Sequence, residues 1–319
     1  MQAADGNWVL LSGGVGGAKL ALGLDRILSR GSLTIIANTG DDFRHLGLAI
    51  SPDIDTLLYT LSERVNPDTG WGCREETWNF MAELERLGGE TWFRLGDRDL
   101  ATHVERTRRL AAGETLTAIT AHFCAMSGLG SRIVPMSDRP VATRVHTSEG
   151  ELAFQEYFVR RQAQPAVSAI TYAGAGEATA PAAARAAFAD PQLRGILIAP
   201  SNPWLSIGPI LAVPFYREAL AATRVPVVAV SPLVGGRALK GPTDRLMAGL
   251  GLPVNSAGIA QCYREVLDAL ILDHVDAGDI AAVESSGVTA AVTATVMHST
   301  CDRVALARFA TGLALRLGG

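Results

Sequence analysis

"LLSGGVGGAKLALGL", residues 10–24, places four glycines within five positions, ahead of a lysine and a helical pattern. The flanking runs decide how it is read. Trp8–Leu11 and Leu33–Ala37 are short and apolar, as buried strands are, and Leu20, Leu24, Ile27 and Leu28 mark one face of a helix between them. Strand, glycine-rich turn, helix and strand make a βαβ unit, with parallel strands and a right-handed crossover. Working outward, further strands are expected at Ser168–Tyr172, Gly195–Ala199, Val225–Val230, Leu270–Asp273 and Ala290–Thr295, and an amphipathic helix at Asp302–Leu317. The pattern predicts an α/β fold with a doubly wound, mainly parallel sheet.

Two stretches break the alternation. Residues 71–128 read as a helical insertion, in which Asp99 starts a run carrying Ala101, Val104 and Leu110, and Glu114 starts another. Residues 131–160 alternate apolar and polar around the turn Ser148-Glu149-Gly150, which predicts an added antiparallel β-hairpin region. The Gly, Ala and Pro residues of 173–184 suggest a flexible connection. The whole chain, 1–319, is read as a single domain.

The 319 residues are 48% hydrophobic, enough for a large core, and the formal net charge of −4 gives no basic surface for nucleic acid. Cys73, Cys124, Cys262 and Cys301 lie far apart with no CxxC pair, which argues against zinc or a disulfide scaffold and fits a reducing cytoplasm. No run approaches the roughly 20 apolar residues of a membrane helix, and the start of the chain does not read as a signal peptide.

The glycine loop fits two familiar templates poorly. A Walker A loop needs Ser or Thr after its lysine, and here Leu20 follows Lys19. In a dinucleotide fingerprint Gly14 and Gly16 are well placed, but Lys19 holds the third glycine site and Asn38 stands where a ribose-binding acid belongs. What remains is a turn that needs glycine, or backbone amides of Gly13, Gly14, Gly16 and Gly17 cradling a phosphate at a helix start. Lys19 is either a point charge on that phosphate or a solvated lysine.

"ANTGDDFRHLGLAISPDIDTLLYTL", residues 37–61, brings Asp41, Asp42, Asp53 and Asp55 to the carboxyl edge of the second strand. Asp53 is placed to cap the helix 54–62, and Asp55 lies in its first turn. Four acids beside a phosphate loop repel a phosphate unless a cation intervenes, which points to Mg²⁺ on one or two carboxylates. In "FRLGDRDLATH", residues 93–103, Asp99 is a candidate N-cap, and Arg94 and Arg98 can fork onto a phosphate or a ring edge. Trp71 and Trp78 of "WGCREETWNF" pack in a core or stack on a planar ring. "APSNPWLSIGPIL" (199–211) and "SPLVGGRALKGPTDRLM" (231–247) follow buried strands, so Ser201, Asn202, Gly235 and Gly236 are candidates for nucleotide contact.

"SGGVGGAKL", "NTGDD", "SPDIDTLLY", "GWGCREETWN", "LGDRDLATH", "PMSDRPVATRV", "PSNPWLSIGPI" and "SPLVGG" occur in the order in which the 2-phospho-L-lactate transferases carry them, and the chain resembles that family over nearly its whole length. The resemblance implies a Rossmann-like, Mg²⁺-dependent, often dimeric transferase of coenzyme F-420 biosynthesis. Its acceptor would be 7,8-didemethyl-8-hydroxy-5-deazariboflavin (Fo). Its donor would be a guanosine diphosphate carrying a lactyl, enolpyruvyl or phosphoglyceryl acid, and GMP would leave. The family's Fo-binding positions fall on Asp55 and Arg94. Ala199 replaces a glycine found in other members, and Arg94 replaces a frequent lysine. On this reading Asp55 orients or deprotonates the Fo hydroxyl, and Mg²⁺ bridges the diphosphate to Asp42 or Asp55. The rival readings are an NAD(P)-dependent oxidoreductase and a non-catalytic nucleotide-binding regulator.

Overall fold

The computed structural model describes residues 6–319. It opens as the sequence predicts. Strand β1 (Asn7–Ser12), helix α1 (Gly14–Ile27) and strand β2 (Leu33–Ala37) form the βαβ unit, and Leu10 lies opposite Ile35 in a parallel pair. Every residue of β2 is buried, and β1 is buried from Trp8 to Ser12, as befits strands covered on both faces.

Next come β3 (Phe43–His45), β4 (Leu48–Ile50) and α2 (Pro52–Leu61), then the helical insertion of α3 (Asn79–Arg86), α4 (Asp97–Ala111) and α5 (Leu116–Met126). The remaining strands are β5 (Arg132–Pro135), β6 (Ala142–Thr147), β7 (Gly150–Ala153), β8 (Val167–Ala173), β9 (Leu193–Ile198), β10 (Val227–Val230), β11 (Leu233–Val234), β12 (Arg237–Ala238), β13 (Ala269–Leu272) and β14 (Thr289–Val292). A C-terminal helix, Thr300–Leu317, closes the chain, and its start carries a capping box between Ser299 and Asp302.

Seven of these strands form one sheet in the order β14-β13-β10-β9-β1-β2-β5, all parallel. The chain runs outward from β1 to β5, returns to the opposite side of β1 with β9, and runs outward again. The direction reverses between β1 and β9, so the crevice beyond their carboxyl ends is the place where an open α/β sheet binds ligands. Leu10 and Ile35 face α1, α2 and the C-terminal helix, while Val9, Leu11 and Ile36 face a second core on the other side of the sheet. Among the described residues no helix is long and apolar enough to cross a membrane.

The structure corrects the expected hairpin region. β5 pairs with β2 in the main sheet, with Ile133 opposite Ile35. Its consecutive Ile133, Val134 and Pro135 are all buried, which is the signature of a covered parallel strand and not of alternation. The hairpin is β6–β7, with Val145 opposite Leu152, and β8 adds to it antiparallel. The strand expected at 168–172 therefore lies outside the doubly wound sheet; it is only partly buried, because one face alone is covered. Residues 156–160 form a π-helical turn and not a strand. The connection at 173–184 is packed, with Ala175, Ala178, Ala180 and Ala184 buried in the core.

α1 and the C-terminal helix approach so closely that a Cβ on Gly23 would collide with the Arg303 carbonyl oxygen. Helix propensity alone would make Gly23→Ala stabilising by about 1 kcal/mol. The packing predicts the opposite sign, a loss of about 1–3 kcal/mol. Urea denaturation reads the difference; a Gly23→Ala protein as stable as the parent or more so contradicts this packing.

Candidate active site

The glycine loop is glycine-rich chiefly because the chain at 199–206 lies on it. A Cβ on Gly13 would come within 2.6 Å of Asp53 Oδ2, one on Gly16 within 2.5 Å of the Pro200 carbonyl oxygen, and one on Gly17 against Ser12 and Ser201. Gly14 alone has a left-handed backbone, with φ of +66°, and it opens α1. Ser201 Oγ accepts from Gly13 N–H at 3.3 Å and donates to Gly13 C=O at 2.6 Å, so the ends of β1 and β9 are tied across the switch point. Asn202 Oδ1 caps the turn Pro203–Ile207 by accepting from the amides of Trp204 and Leu205, and its Nδ2 donates to Thr243. Gly235 and Gly236 are the two central residues of the β11–β12 hairpin, with φ of +61° and +69°, as a type I′ turn requires. Gly235 N–H is held by Asp276.

The first amide of α1 is already occupied. Gly14 N–H donates to Asp53 Oδ1 at 2.7 Å, and Asp53 Oδ2 accepts from Asn38 Nδ2 at 2.8 Å. Asp53 is thus no N-cap of its own helix. Pro52, with its fixed φ, starts α2 two residues earlier than expected, and Asp53 turns its carboxylate to the start of α1 instead. Burial raises the Asp53 pKa, against the bonds from Asn38 and Gly14. Asp41 and Asp42 are pushed well above the ordinary carboxylate range, first by burial, and in Asp41 also by the charges of Asp53 and Asp42. Ser51 donates to Asp42 Oδ2 at 2.7 Å, while Asp42 Oδ1 and Asp41 Oδ1 are buried without a partner.

Asp55 lies two residues further round α2 and faces α4. There Arg106, only 1% exposed, grips both its oxygens: Nη1 donates to Oδ2 at 3.0 Å and Nη2 to Oδ1. Arg106 Nη1 also stands 3.3 Å from His103 Nδ1. Guanidinium only donates, so His103 Nδ1 accepts, and in the neutral ring the proton is assigned to Nε2. That atom lies 3.3 Å from Asp99 Oδ1, which also accepts from the Tyr59 hydroxyl at 2.6 Å. Burial pushes the Asp99 carboxyl up, but the bonds from His103 and Tyr59 and the charge of Arg106 outweigh it and hold it low. The sequence reading missed Arg106. Its signal is the i, i+4, i+7 spacing of Asp99, His103 and Arg106, which puts all three on one face of α4.

Asp99 is not the N-cap of α4; the helix begins at Asp97, with Gly96 before it. Caps are exchanged instead between distant segments. Asp97 accepts from Thr77 Oγ1, from Asn79 and from the Phe80 amide, and these bonds lower its pKa to about 2. Glu76 in return accepts from the amides of Arg98 and Asp99. This clasp sets Trp78 beside Arg94, whose guanidinium lies 4.0 Å from the ring centroid. Arg94 and both tryptophans are exposed, so neither Trp71 nor Trp78 packs in a core. A cleft lined by Trp71, Trp78, Arg94, Asn66 and Thr69 reaches down to Asp99. Arg98 points elsewhere, to Glu75 and the Arg74 carbonyl. Lys19 donates from Nζ to the Met297 carbonyl at 2.9 Å.

Asp55, Asp99 and His103 offer ligand atoms within 4.8 Å of one another, a group able to hold a metal ion. Arg106 already sets a positive charge against it. The buried, unpartnered Oδ1 of Asp42 is the better fit for a hard divalent cation, which takes oxygen ligands.

A parallel sheet with a helix start and buried carboxylates at its switch point is the ligand-binding end of an open α/β fold. The family model for the 2-phospho-L-lactate transferase CofD matches residues 8–305, and the chain belongs to this family of transferases of coenzyme F-420 biosynthesis. It is 41% identical to a phosphoenolpyruvate transferase of Streptomyces griseus, over 96% of this chain and 98% of the relative. It is 39% identical to a 2-phospho-L-lactate transferase of Methanosarcina acetivorans, again over 96% and 98%. A crystal structure of a UPF0052 family member from Bacillus halodurans shares the fold, with a TM-score of 0.65 at 13% identity, over 95% of this chain and 98% of that one.

Removing one partner of a buried ion pair strands the other charge. Arg106→Met is expected to cost about 3–5 kcal/mol, and adding Asp55→Leu to recover most of it. Chemical denaturation of both variants tests the pair; an Arg106→Met protein within about 1 kcal/mol of the parent contradicts it.

Proposed function

We propose that the chain transfers a phospho-three-carbon-acid group from a guanosine diphosphate-linked donor to the terminal ribityl hydroxyl of Fo. The observation that carries this reading is the cleft itself. It runs from an exposed Trp78–Arg94 stack, suited to a planar ring, down to Asp99 of the network that holds Asp55. The names of the relatives, which transfer phosphoenolpyruvate or 2-phospho-L-lactate, support the same chemistry. The fit to an NAD(P) enzyme is poor, because Asn38 serves Asp53 and no ribose-binding acid stands at the end of β2.

On this reading the ribityl oxygen bonds to the phosphorus bearing the acid, the anhydride bond to GMP breaks, and GMP leaves with the bridging oxygen. Arg94 and Trp78 hold the deazaflavin ring. Asp55, oriented by Arg106, receives or aligns the hydroxyl proton. The amide of Gly16 and the start of α1 meet the diphosphate, and Gly17 keeps the loop close against Ser201. Gly13, Gly14, Ser201, Asn202, Gly235 and Gly236 shape that side of the crevice. Mg²⁺ held by Asp42 would neutralise charge on the diphosphate and on GMP as it leaves; Asp55, the other ligand candidate, already has both oxygens gripped by Arg106. We place the enzyme in the cytoplasm as a homodimer, with no nucleic acid or membrane partner.

General-base help is worth roughly 10²–10⁴-fold. Asp55→Asn is therefore expected to lose at least about a hundredfold in turnover with Fo, a guanosine-linked donor and Mg²⁺ while circular dichroism shows a native fold. Mass spectrometry of the product identifies the acid carried. A folded Asp55→Asn enzyme with near-normal turnover overturns the assignment. Arg94→Ala is expected to weaken Fo binding more than guanosine nucleotide binding by calorimetry; the reverse order rules out its place at the ring.

A further inference from the structure

Asp53 changes the charge balance at the glycine loop. Its carboxylate takes the Gly14 amide, so an incoming phosphate meets an acid where a bare helix start would attract it. Asp41 and Asp42 stand behind it. Positive charge has to come from elsewhere, and one face of α1 carries it.

Val15, Lys19 and Gly23 follow one another at i, i+4 and i+8 along that face. At its open end the loop at Thr69–Gly70 lies over Val15: a Cβ on Gly70 would sit 2.7 Å from Val15 Cγ1 and 3.4 Å from Lys240 Nζ. Lys240 Nζ donates to the Thr69 carbonyl at 2.6 Å, which pins this loop to the chain after β12. At the far end Gly23 packs under the Arg303 backbone. Between them lies Lys19, anchored to Met297 just ahead of the C-terminal helix that carries Arg303. Three cations from three distant segments thus lie along this face of α1.

Among the described residues none of the three has a carboxylate within ion-pair distance. Asp302, beside Arg303, is spent on the capping box with Ser299. Arg303 Nε is buried without a partner. Lys19 is half-buried; burial lowers its pKa, and the charges of Arg303 and Lys240 lower it further. Like charges gathered and partly desolvated without a counter-ion are stabilised by a bound anion.

We propose that Lys19, Lys240 and Arg303 form the diphosphate subsite of the donor, alongside the α1 amides and opposite the acids at Asp41–Asp55. The proposal rests on the transferase reading for the identity of the donor, and on the geometry alone for the diphosphate. Lys240 is then also a closing contact, since it ties the Trp71 loop of the acceptor cleft to the donor side.

The test is a calorimetric titration of the full chain and of Lys240→Ala, Arg303→Gln and Arg303→Lys with inorganic pyrophosphate at low salt, with Fo as the control ligand. Lys240→Ala and Arg303→Gln are each expected to weaken pyrophosphate binding about tenfold or more, and Arg303→Lys to restore most of it. Fo affinity is expected to stay within about twofold in Arg303→Gln. Pyrophosphate affinity within about twofold of the parent in both charge-removing variants overturns the proposal, as does a parent chain that binds no pyrophosphate. Charge-dependent pyrophosphate binding without any Fo product upholds the subsite and removes the transferase reading. Fo product with pyrophosphate binding unmoved by the variants does the reverse.

Discussion

Asp53 is the joint on which the site turns. One carboxylate accepts from the first amide of α1 and from the side chain of Asn38 at the end of β2, and it stands in the first turn of α2. It reaches there only because Gly13 has no side chain to stand in its way. α1, β2 and α2 are thereby locked together at the carboxyl edge of the sheet. The same glycines admit the 199–206 chain, so Ser201 can tie β9 to β1. The glycine loop is first a packing device.

That joint has an electrostatic consequence. A buried carboxylate at a helix start uses the favourable dipole that a phosphate would otherwise use. The protein therefore separates its charges. We place acids from 41 to 55 on one side of the crevice, one of them neutralised by Arg106, and cations from α1, the β12 loop and the C-terminal helix on the other. A reaction that brings a diphosphate to a hydroxyl needs both sides: positive charge to hold the donor and a carboxylate to receive the acceptor.

Much of this was legible in the sequence, and the failures have physical causes. The βαβ unit, the central strands and the helical insertion followed from apolar runs. β5 was misread because Arg132 and the polar residues after Pro135 imitate alternation around a buried run. The caps at Asp53 and Asp99 were misassigned because local pattern cannot see a cap supplied from a distance: Asp97 closes α3, and Glu76 closes α4. Arg106 hides in "VERTRR", where Arg108 and Arg109 pair with Glu105 on the surface and Arg106 alone is buried. Only the phase of the helix separates it from its neighbours. Lys240 and Arg303 carry no local signal, since their meaning comes from packing against α1.

The central claim is that donor and acceptor meet at the switch point between β1 and β9 with their charges on opposite sides. The structure of a crystal grown with GDP, Mg²⁺ and Fo tests it most directly. The account predicts the diphosphate beside the α1 amides, within reach of Lys19, Lys240 and Arg303, and the deazaflavin ring against Trp78 and Arg94 with its terminal hydroxyl at Asp55. A nucleotide bound away from the start of α1, or a ring bound away from Trp78, would contradict it.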